Sequence, residues 1–300
     1  MKVFVTGGTG HIGQSVVRLL SEQGHECRIL SRDAEATRRW TESIPRAYPT
    51  RGDITTSTTD QLAELVKKFD AVIHIVGVII EKGGPGFEAV HVGGTRRIVE
   101  AAKRAGAKRF IHMSALGARE GAASRYHQTK FAAEQIVRES GLDWTIFRPS
   151  IVYGPNDEFL NTFASIARLS PLLPVIGSGR GKLQPIWVED VARCFVKALE
   201  MSETFGETYE MGGDTAHSIK EIMRLLLGAM GKRRIFVHMP VSIARLKARM
   251  FEYMPMRPPF TADQITMLGE DNVCDPAPLK NTFGLSLRPI ADYLGEQFGK

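Results

Sequence analysis

Cysteine is scarce in this chain of 300 residues: Cys27, Cys194 and Cys274 are odd in number, far apart and without metal-ligand spacing. A disulfide framework and a zinc site are thereby excluded as organising devices, and a reducing compartment fits. No run of about 18 apolar residues is present, so no segment reads as a transmembrane helix. The first expected strand begins at Lys2, which leaves no room for a signal or transit peptide and makes the cytoplasm the expected location. No basic stripe is interleaved with aromatic residues, which argues against nucleic acid as a partner. Internal repeats and low-complexity stretches are also missing.

What is present is ordinary in bulk. Hydrophobic residues make up 43% and charged residues 24%, enough for a sizeable core. Lys and Arg (39) exceed Asp and Glu (33), giving +6. Such a surplus suits an anionic ligand, an acidic partner or a membrane surface, and equally a solvated exterior. The length exceeds that of a usual single core, so one large α/β domain with a smaller one is expected.

Short, nearly continuous apolar runs at 2–6, 26–30, 71–76, 109–114 and 144–148 alternate with amphipathic stretches, the pattern of βαβ units in a parallel sheet covered on both faces. Ile12, Val16, Leu19 and Leu20 trace one helix that stops at Gly24, and 95–105 traces another that stops at Gly106. After Arg148-Pro149 a turn cluster at 153–157 and a Pro/Gly-rich stretch at 170–182 leave the sheet. Runs at 184–188 and 208–211 read as strands returning to it, joined by a helix through Val191, Phe195 and Leu199. The fold class is therefore a Rossmann-type, doubly wound parallel sheet with a smaller C-terminal capping domain. Residues 1–155 and 186–212 form the first part, and 156–185 with 213–300 the second.

The first turn, Gly7-Gly8-Thr9-Gly10-His11-Ile12-Gly13, satisfies both G-x-G-x-x-G and G-x-x-G-x-x-G between a strand and a helix. Gly7 permits a tight turn, Gly10 lets the backbone approach a pyrophosphate, and Gly13 lets helix and strand pack closely. The phosphates then sit at a helix N-terminus, over His11 and Ile12. About 20 residues on, an acid would accept from a ribose 2′-OH and a base would pair with a 2′-phosphate. Ser31-Arg32 stands there and Asp33 only follows it, so NADP(H) is preferred over NAD(H), with Arg38 or Arg39 adding charge. The plainer alternative is a solvated arginine at a strand end. Asp53, beside Ile54, reads as an adenine-edge contact, and the Gly77 backbone as a floor under the cofactor.

Tyr126 and Lys130 stand at i, i+4 on one helix face. A phenol near pKa 10 becomes a useful acid–base group when a neighbouring ammonium lowers that value, and the same lysine can bond the nicotinamide ribose.

These features together resemble the short-chain dehydrogenase/reductase superfamily, in its extended and atypical, epimerase/dehydratase-like branch. The resemblance rests on the glycine turn, Gly52-Asp53, Tyr126 with Lys130, Arg148-Pro149-Ser150 with Tyr153-Gly154, and the 187–192 segment. It implies a cofactor contact at Pro149 and a catalytic hydroxyl, for which Ser114 stands one residue early and Ala115 in the expected place. His91 replaces the asparagine that usually opens the helix before the fourth strand. The motifs at 260–264 and 270–273 look like bacterial relatives of the accessory nucleotide-binding subunit of respiratory complex I, a family associated with bound NADPH.

From 235 to 256, Arg, Lys, Met and aromatic residues mix, with proline breaks at Pro240, Pro255 and Pro258-Pro259. Pliant Met side chains suit an apolar ligand or a greasy surface, and a basic amphipathic helix through Ile243, Leu246, Met250 and Phe251 suits anionic lipid. The core of a small lid domain is the plainer alternative. Three functions stay open. The first is an NADP(H)-dependent oxidoreductase that transfers hydride to or from a carbonyl or alcohol carbon of a small molecule, apolar and quinone- or lipid-like. The second is a non-catalytic nucleotide-binding subunit of a membrane redox complex, peripheral to the inner membrane. The third is a sugar-nucleotide epimerase or dehydratase, for which Arg180, Lys182 and Arg234 are the candidate diphosphate contacts.

Overall fold

A computed structural model describes residues 1–81, 83–254, 258 and 260–299; Pro255, Met256 and Pro259 of the Met-rich segment lie outside them. Strands β1 (Lys2–Thr6), β2 (Glu26–Ser31), β3 (Ala47–Arg51), β4 (Ala71–His74), β5 (Arg109–Met113) and β6 (Asp143–Pro149) pair in parallel. With the strand Glu207–Met211 they make a seven-stranded sheet ordered Glu207–Met211, β6, β5, β4, β1, β2, β3. The chain winds outward from β1 to β3, then crosses back to lay β4 against the other side of β1. This reversal opens a crevice beyond the carboxyl ends of β1 and β4, where ligands of doubly wound sheets bind.

The inner strands are apolar on both faces because helices cover both. Helices α1 (His11–Glu22), α2 (Ala34–Thr41), α3 (Thr59–Val66), α4 (Thr95–Ala105), α5 (Arg125–Arg138) and, beyond a further helix α6 (Glu158–Leu169), α7 (Val188–Lys197) alternate with them. Phe4, Val72, Phe110 and Ile146 form one core layer with Leu62, Ile98 and Val137 of α3, α4 and α5. Gly24 (φ +81°) and Gly106 (φ +77°) take the left-handed conformation that ends α1 and α4.

Two expectations need correction. The strand β3 is absent from the sequence reading because Pro49 interrupts it, and proline is tolerated here because β3 is an edge strand with no neighbour on one side. The run at 184–188 does not return to the main sheet: only Ile186–Trp187 is extended, paired with Val152–Tyr153 in a separate ribbon. Pro185 lacks an N–H for a ladder, and the Gln184 side chain is engaged with the Gly213 carbonyl (2.5 Å) and the Cys274 N–H (2.8 Å).

The chain divides into two compact units, Met1–Arg148 with Val188–Tyr209, and Pro149–Trp187 with Glu210–Lys300. The second holds α6, α8 (Ile219–Ala229), α9 (Val241–Tyr253) and α10 (Ala262–Met267) among short two-stranded ribbons.

In the first unit the buried Arg109 ties β5 to β6 and to the chain beyond α7. Its guanidinium donates to the carbonyls of Ala198 (2.7 and 3.0 Å) and Asp143 (2.7 Å) and to the hydroxyls of Thr145 (2.6 Å) and Thr204 (2.9 Å). Replacing it by leucine strands these acceptors in the interior. Arg109→Leu is therefore expected to cost about 3 kcal/mol or more of unfolding free energy in a urea titration, whereas a loss below about 1 kcal/mol would mean that water restores the bonds.

Candidate functional site

The turn after β1 is built by close backbone approach. A Cβ on Gly13 would stand 2.1 Å from the Gly7 carbonyl oxygen, and one on Gly7 would stand 2.8 Å from the Val76 nitrogen. Gly7 also has φ +80°. Gly10 differs, since a Cβ there meets only the Gly7 oxygen at 3.4 Å, so its outer side is open. No side chain caps α1 at Gly10 and no acid stands in its first turn. The residues present thus fit a diphosphate: an uncapped helix N-terminus, with half-buried His11 and Ile12 in its first turn, reached over a backbone with no Cβ in the way.

At the end of β2, Ser31 is buried and structural. Its hydroxyl donates to the Asp33 carbonyl (3.0 Å) and accepts from Thr37 (2.7 Å). The Asp33 carboxylate caps α2 by accepting from the Ala36 N–H at 2.9 Å, so the first acid after β2 is already used. Arg32 is exposed and has no ion pair among the described residues, while Arg38 pairs with Glu35 at 3.6 Å. Asp53 orders its own loop, accepting on Oδ1 from the Thr55 N–H (2.8 Å) and hydroxyl (2.7 Å). Ile54 is buried under Gly94, where a Cβ would meet its Cδ1 at 2.5 Å.

On the other side of the crevice, Gly77 is exposed beyond β4, and a Cβ built on it would lie 3.7 Å from His91 Nε2 and 3.9 Å from Lys130 Nζ. Lys130 is buried, and its ammonium donates to the Met113 carbonyl at 2.5 Å. Burial pushes this lysine down to about 8, against the raising influence of Glu134. Tyr126 is half-buried, its ring edge-on to those of Phe87 (5.8 Å), His91 (5.4 Å) and His127 (5.5 Å). The expected lowering of its phenol by Lys130 does not occur in this arrangement. Lys130 is directed to a backbone carbonyl, and burial pushes Tyr126 up to about 12. Ser114 donates its backbone N–H to Phe147 (2.7 Å), while its buried Oγ has no partner among the described residues. Pro149 is half-buried at the end of β6.

Residues 3–212 match the model of the NAD dependent epimerase/dehydratase family. The chain belongs to that family. Its members bind NAD(P), and this one carries the Rossmann-type sheet that holds it. Among its relatives is a ceramide reductase of Caulobacter vibrioides, 35% identical over 241 residues, covering 79% of this chain and 73% of that protein. An alpha subcomplex subunit 9 of the mitochondrial NADH dehydrogenase of Arabidopsis thaliana is 29% identical over 293 residues, covering 92% and 71%. A nucleoside-diphosphate-sugar epimerase of Staphylococcus aureus has the same fold, with a TM-score of 0.80 at 19% identity over 98% of this chain and 100% of that one. No helix among the described residues is long and apolar enough to cross a membrane.

Where the wider family usually has asparagine, this member holds His91 in a π-helical turn, Glu88–Gly94. Its Nε2 accepts from the Val78 N–H at 3.1 Å, which leaves the proton on Nδ1 for Thr129 Oγ1 at 2.9 Å; Thr129 in turn donates to the Arg125 or Tyr126 carbonyl. His91 therefore ties the segment beyond β4 to α5 and stays neutral, burial holding it near 2.

The sequence reading missed a polar layer beneath the site. His74, bonded to Thr6 (2.5 Å) and Thr95 (3.0 Å), stacks on His112 at 5.3 Å. His112 is fully buried and neither ring nitrogen has a partner among the described residues. Nearby, Arg148 makes a bidentate pair with the buried Glu134 of α5 at 2.8 and 2.6 Å. The available signal was a histidine in each of two otherwise apolar strand runs.

Burial, aided by the Lys130 charge, keeps His74 near 3 and His112 well below the usual histidine range. The unfolded chain takes up these protons near pH 6.5 and the native state does not, so stability is full above that pH and falls as pH drops below it. Between pH 7.5 and 5, His112→Phe should remove about 1–2 kcal/mol of the wild-type loss, at 1.36 kcal/mol per unit. Equal losses in both proteins, measured by denaturant titration, would show that His112 does not titrate in this way.

Proposed function

We propose that this family member is an NADP(H)-dependent oxidoreductase that reduces the carbonyl of an apolar small molecule, quinone-like or lipid-like, to an alcohol. The observation that carries the reading is the pairing of an open Gly10 turn with a buried ammonium, Lys130, beside Gly77 at the switch point of the sheet. The turn and the N-terminus of α1 hold the pyrophosphate. Arg32, without an ion pair among the described residues and followed by an acid spent on a helix cap, receives the 2′-phosphate and so favours NADP(H) over NAD(H). A reduced nicotinamide supplies the hydride for the carbonyl carbon. Tyr126 is the proton donor to the carbonyl oxygen, and Ser114 Oγ is the hydroxyl available to that oxygen.

A second reading is a nucleotide-binding subunit docked on a membrane-associated redox complex, without turnover. It is favoured by the raised Tyr126 phenol, by Ala115 where a hydroxyl residue is usual, and by the Arabidopsis thaliana relative, a subunit of the mitochondrial NADH dehydrogenase. For the epimerase reading, one of the three candidate diphosphate contacts is already engaged: the Arg234 guanidinium bonds the carbonyls of Ala167 (2.8 Å) and Arg233 (2.9 Å).

Titration with NADPH and NADH, followed by nicotinamide fluorescence and melting temperature, is expected to show tighter NADPH binding that Arg32→Asp weakens at least about tenfold. Equal affinities would remove Arg32 from the site. In a carbonyl and quinone screen, Tyr126→Phe should keep cofactor affinity and lose turnover by about a hundredfold or more. Bound NADPH with no turnover of any carbonyl by the wild type would favour the docked-subunit reading.

A further inference from the structure

Helix α9 buries very little of itself. Ala244 and Ala248 are its fully buried residues, packed with Ile265 of α10. Phe251 meets Phe260 edge-on at 6.0 Å on the same side, whereas four bulky apolar residues are turned away from that contact. Leu246 and Met250 are each 62% exposed, Tyr253 is 91% exposed, and Ile243 is exposed as well. At about 100° per residue, the spacing i, i+3, i+7, i+10 gathers these four within about 80° of the helix circumference, opposite the two alanines. Lys247 falls about 40° beyond one margin of this strip and Arg249 about 40° beyond the other. The one acid of the helix, Glu252, lies off the strip and accepts from the Ala262 N–H at 3.1 Å.

An apolar strip with cationic margins on both sides has a specific complement: an apolar layer edged by anions. A second copy of this helix does not provide it, because a two-fold contact sets Lys247 and Arg249 against their own counterparts. An anionic leaflet does, with acyl chains beneath and phosphates at the level of the basic side chains. The ribbon preceding α9 adds to the exposed apolar surface, since Ile235 and Val237 are exposed and Ile235 lies in register with exposed Leu172.

We propose that α9 is a membrane-docking helix that lies in the plane of an anionic lipid surface, with Ile243, Leu246, Met250 and Tyr253 inserted and Lys247 and Arg249 on the headgroups. The proposal rests on the apolar-substrate reading above and deepens it by naming the face and the lipid charge that bring the protein to a lipid-like substrate.

The test is flotation of the full chain with vesicles of pure phosphatidylcholine and of equimolar phosphatidylcholine and phosphatidylglycerol. Binding to the anionic vesicles at least about tenfold tighter than to the neutral ones, and weakened by about 1 M salt, is expected. Leu246→Glu with Met250→Glu, both on exposed positions, should lower it at least about tenfold, and Lys247→Glu with Arg249→Glu should erase the preference for anionic lipid. The NADPH-induced rise in melting temperature, unchanged in both variants, serves as the control for folding. Its absence in the wild type would sink the cofactor reading and leave the vesicle result standing. Vesicle binding that is absent, or equal in wild type and variants, overturns the docking helix. So does a dimer in light scattering that Leu246→Glu dissociates, because the strip would then cover a second copy.

Discussion

The close approach of three backbone segments, β1 through Gly7, α1 through Gly13 and the end of β4 through Val76, sets the geometry on which the rest of the first unit depends. At 2.1 and 2.8 Å from the neighbouring atoms, a methyl group at Gly13 or Gly7 could be placed only by moving backbone. The helix therefore starts hard against the strand end, and its uncapped N–H groups face the reversal point of the sheet instead of solvent at a distance. From that single constraint follow the direction of α1, the opening between β1 and β4, and the position of Gly77 across it. Gly10 is under no such pressure: a Cβ there would meet only the Gly7 carbonyl oxygen at 3.4 Å, so the outer side of the turn is open.

The second constraint is electrical. Lys130, Glu134, His74, His91 and His112 are all buried between the sheet and the helices on one side, although burying such groups is costly unless they are bonded or neutral. The fold uses both remedies. Glu134 keeps its charge against Arg148, while the histidines remain neutral, His74 and His91 with defined partners. Lys130 is the ammonium at their centre, and it disfavours protonation of each histidine around it. A lone carbonyl, Met113, holds it in place.

How much of this was legible follows from the range of each interaction. The glycine turn and the α4 stop are local, so spacing alone exposed them. Tyr126 and Lys130 share a helix face and could be paired from sequence, but the direction of the lysine depends on Met113, seventeen positions away on a strand. The expected lowering of the phenol failed for that reason. Ser31 and Asp53 are expected ligand contacts from their places at strand ends, and the structure adds turn-forming bonds at both that spacing does not reveal. Strand β3 was hidden because Pro49 is a poor strand residue except at an edge, and which strand lies at the edge is a property of the whole sheet. The polar layer was hidden because a histidine in an apolar run looks the same whether it is bonded, stacked or exposed.

The buried polar groups also differ in what they say about a ligand. His74 is satisfied on both ring nitrogens, and Glu134 is bonded by Arg148 and, at 3.5 Å, by Arg138, so both have their partners within the protein. Ser114 and Lys130 do not fit that description. The serine Oγ is buried without a partner at the carboxyl end of β5, and the ammonium next to it is held by one backbone carbonyl although it has three protons to donate. Of the two, it is the surplus N–H donors of Lys130 that adjoin the open side of Gly77. His112, in the layer beneath, also has ring nitrogens without a partner among the described residues, so an unmet bond alone does not mark a site. What sets Lys130 apart is its place: a Cβ built on the exposed Gly77 would lie 3.9 Å from its Nζ, so a polar oxygen brought to that glycine would meet its spare donors.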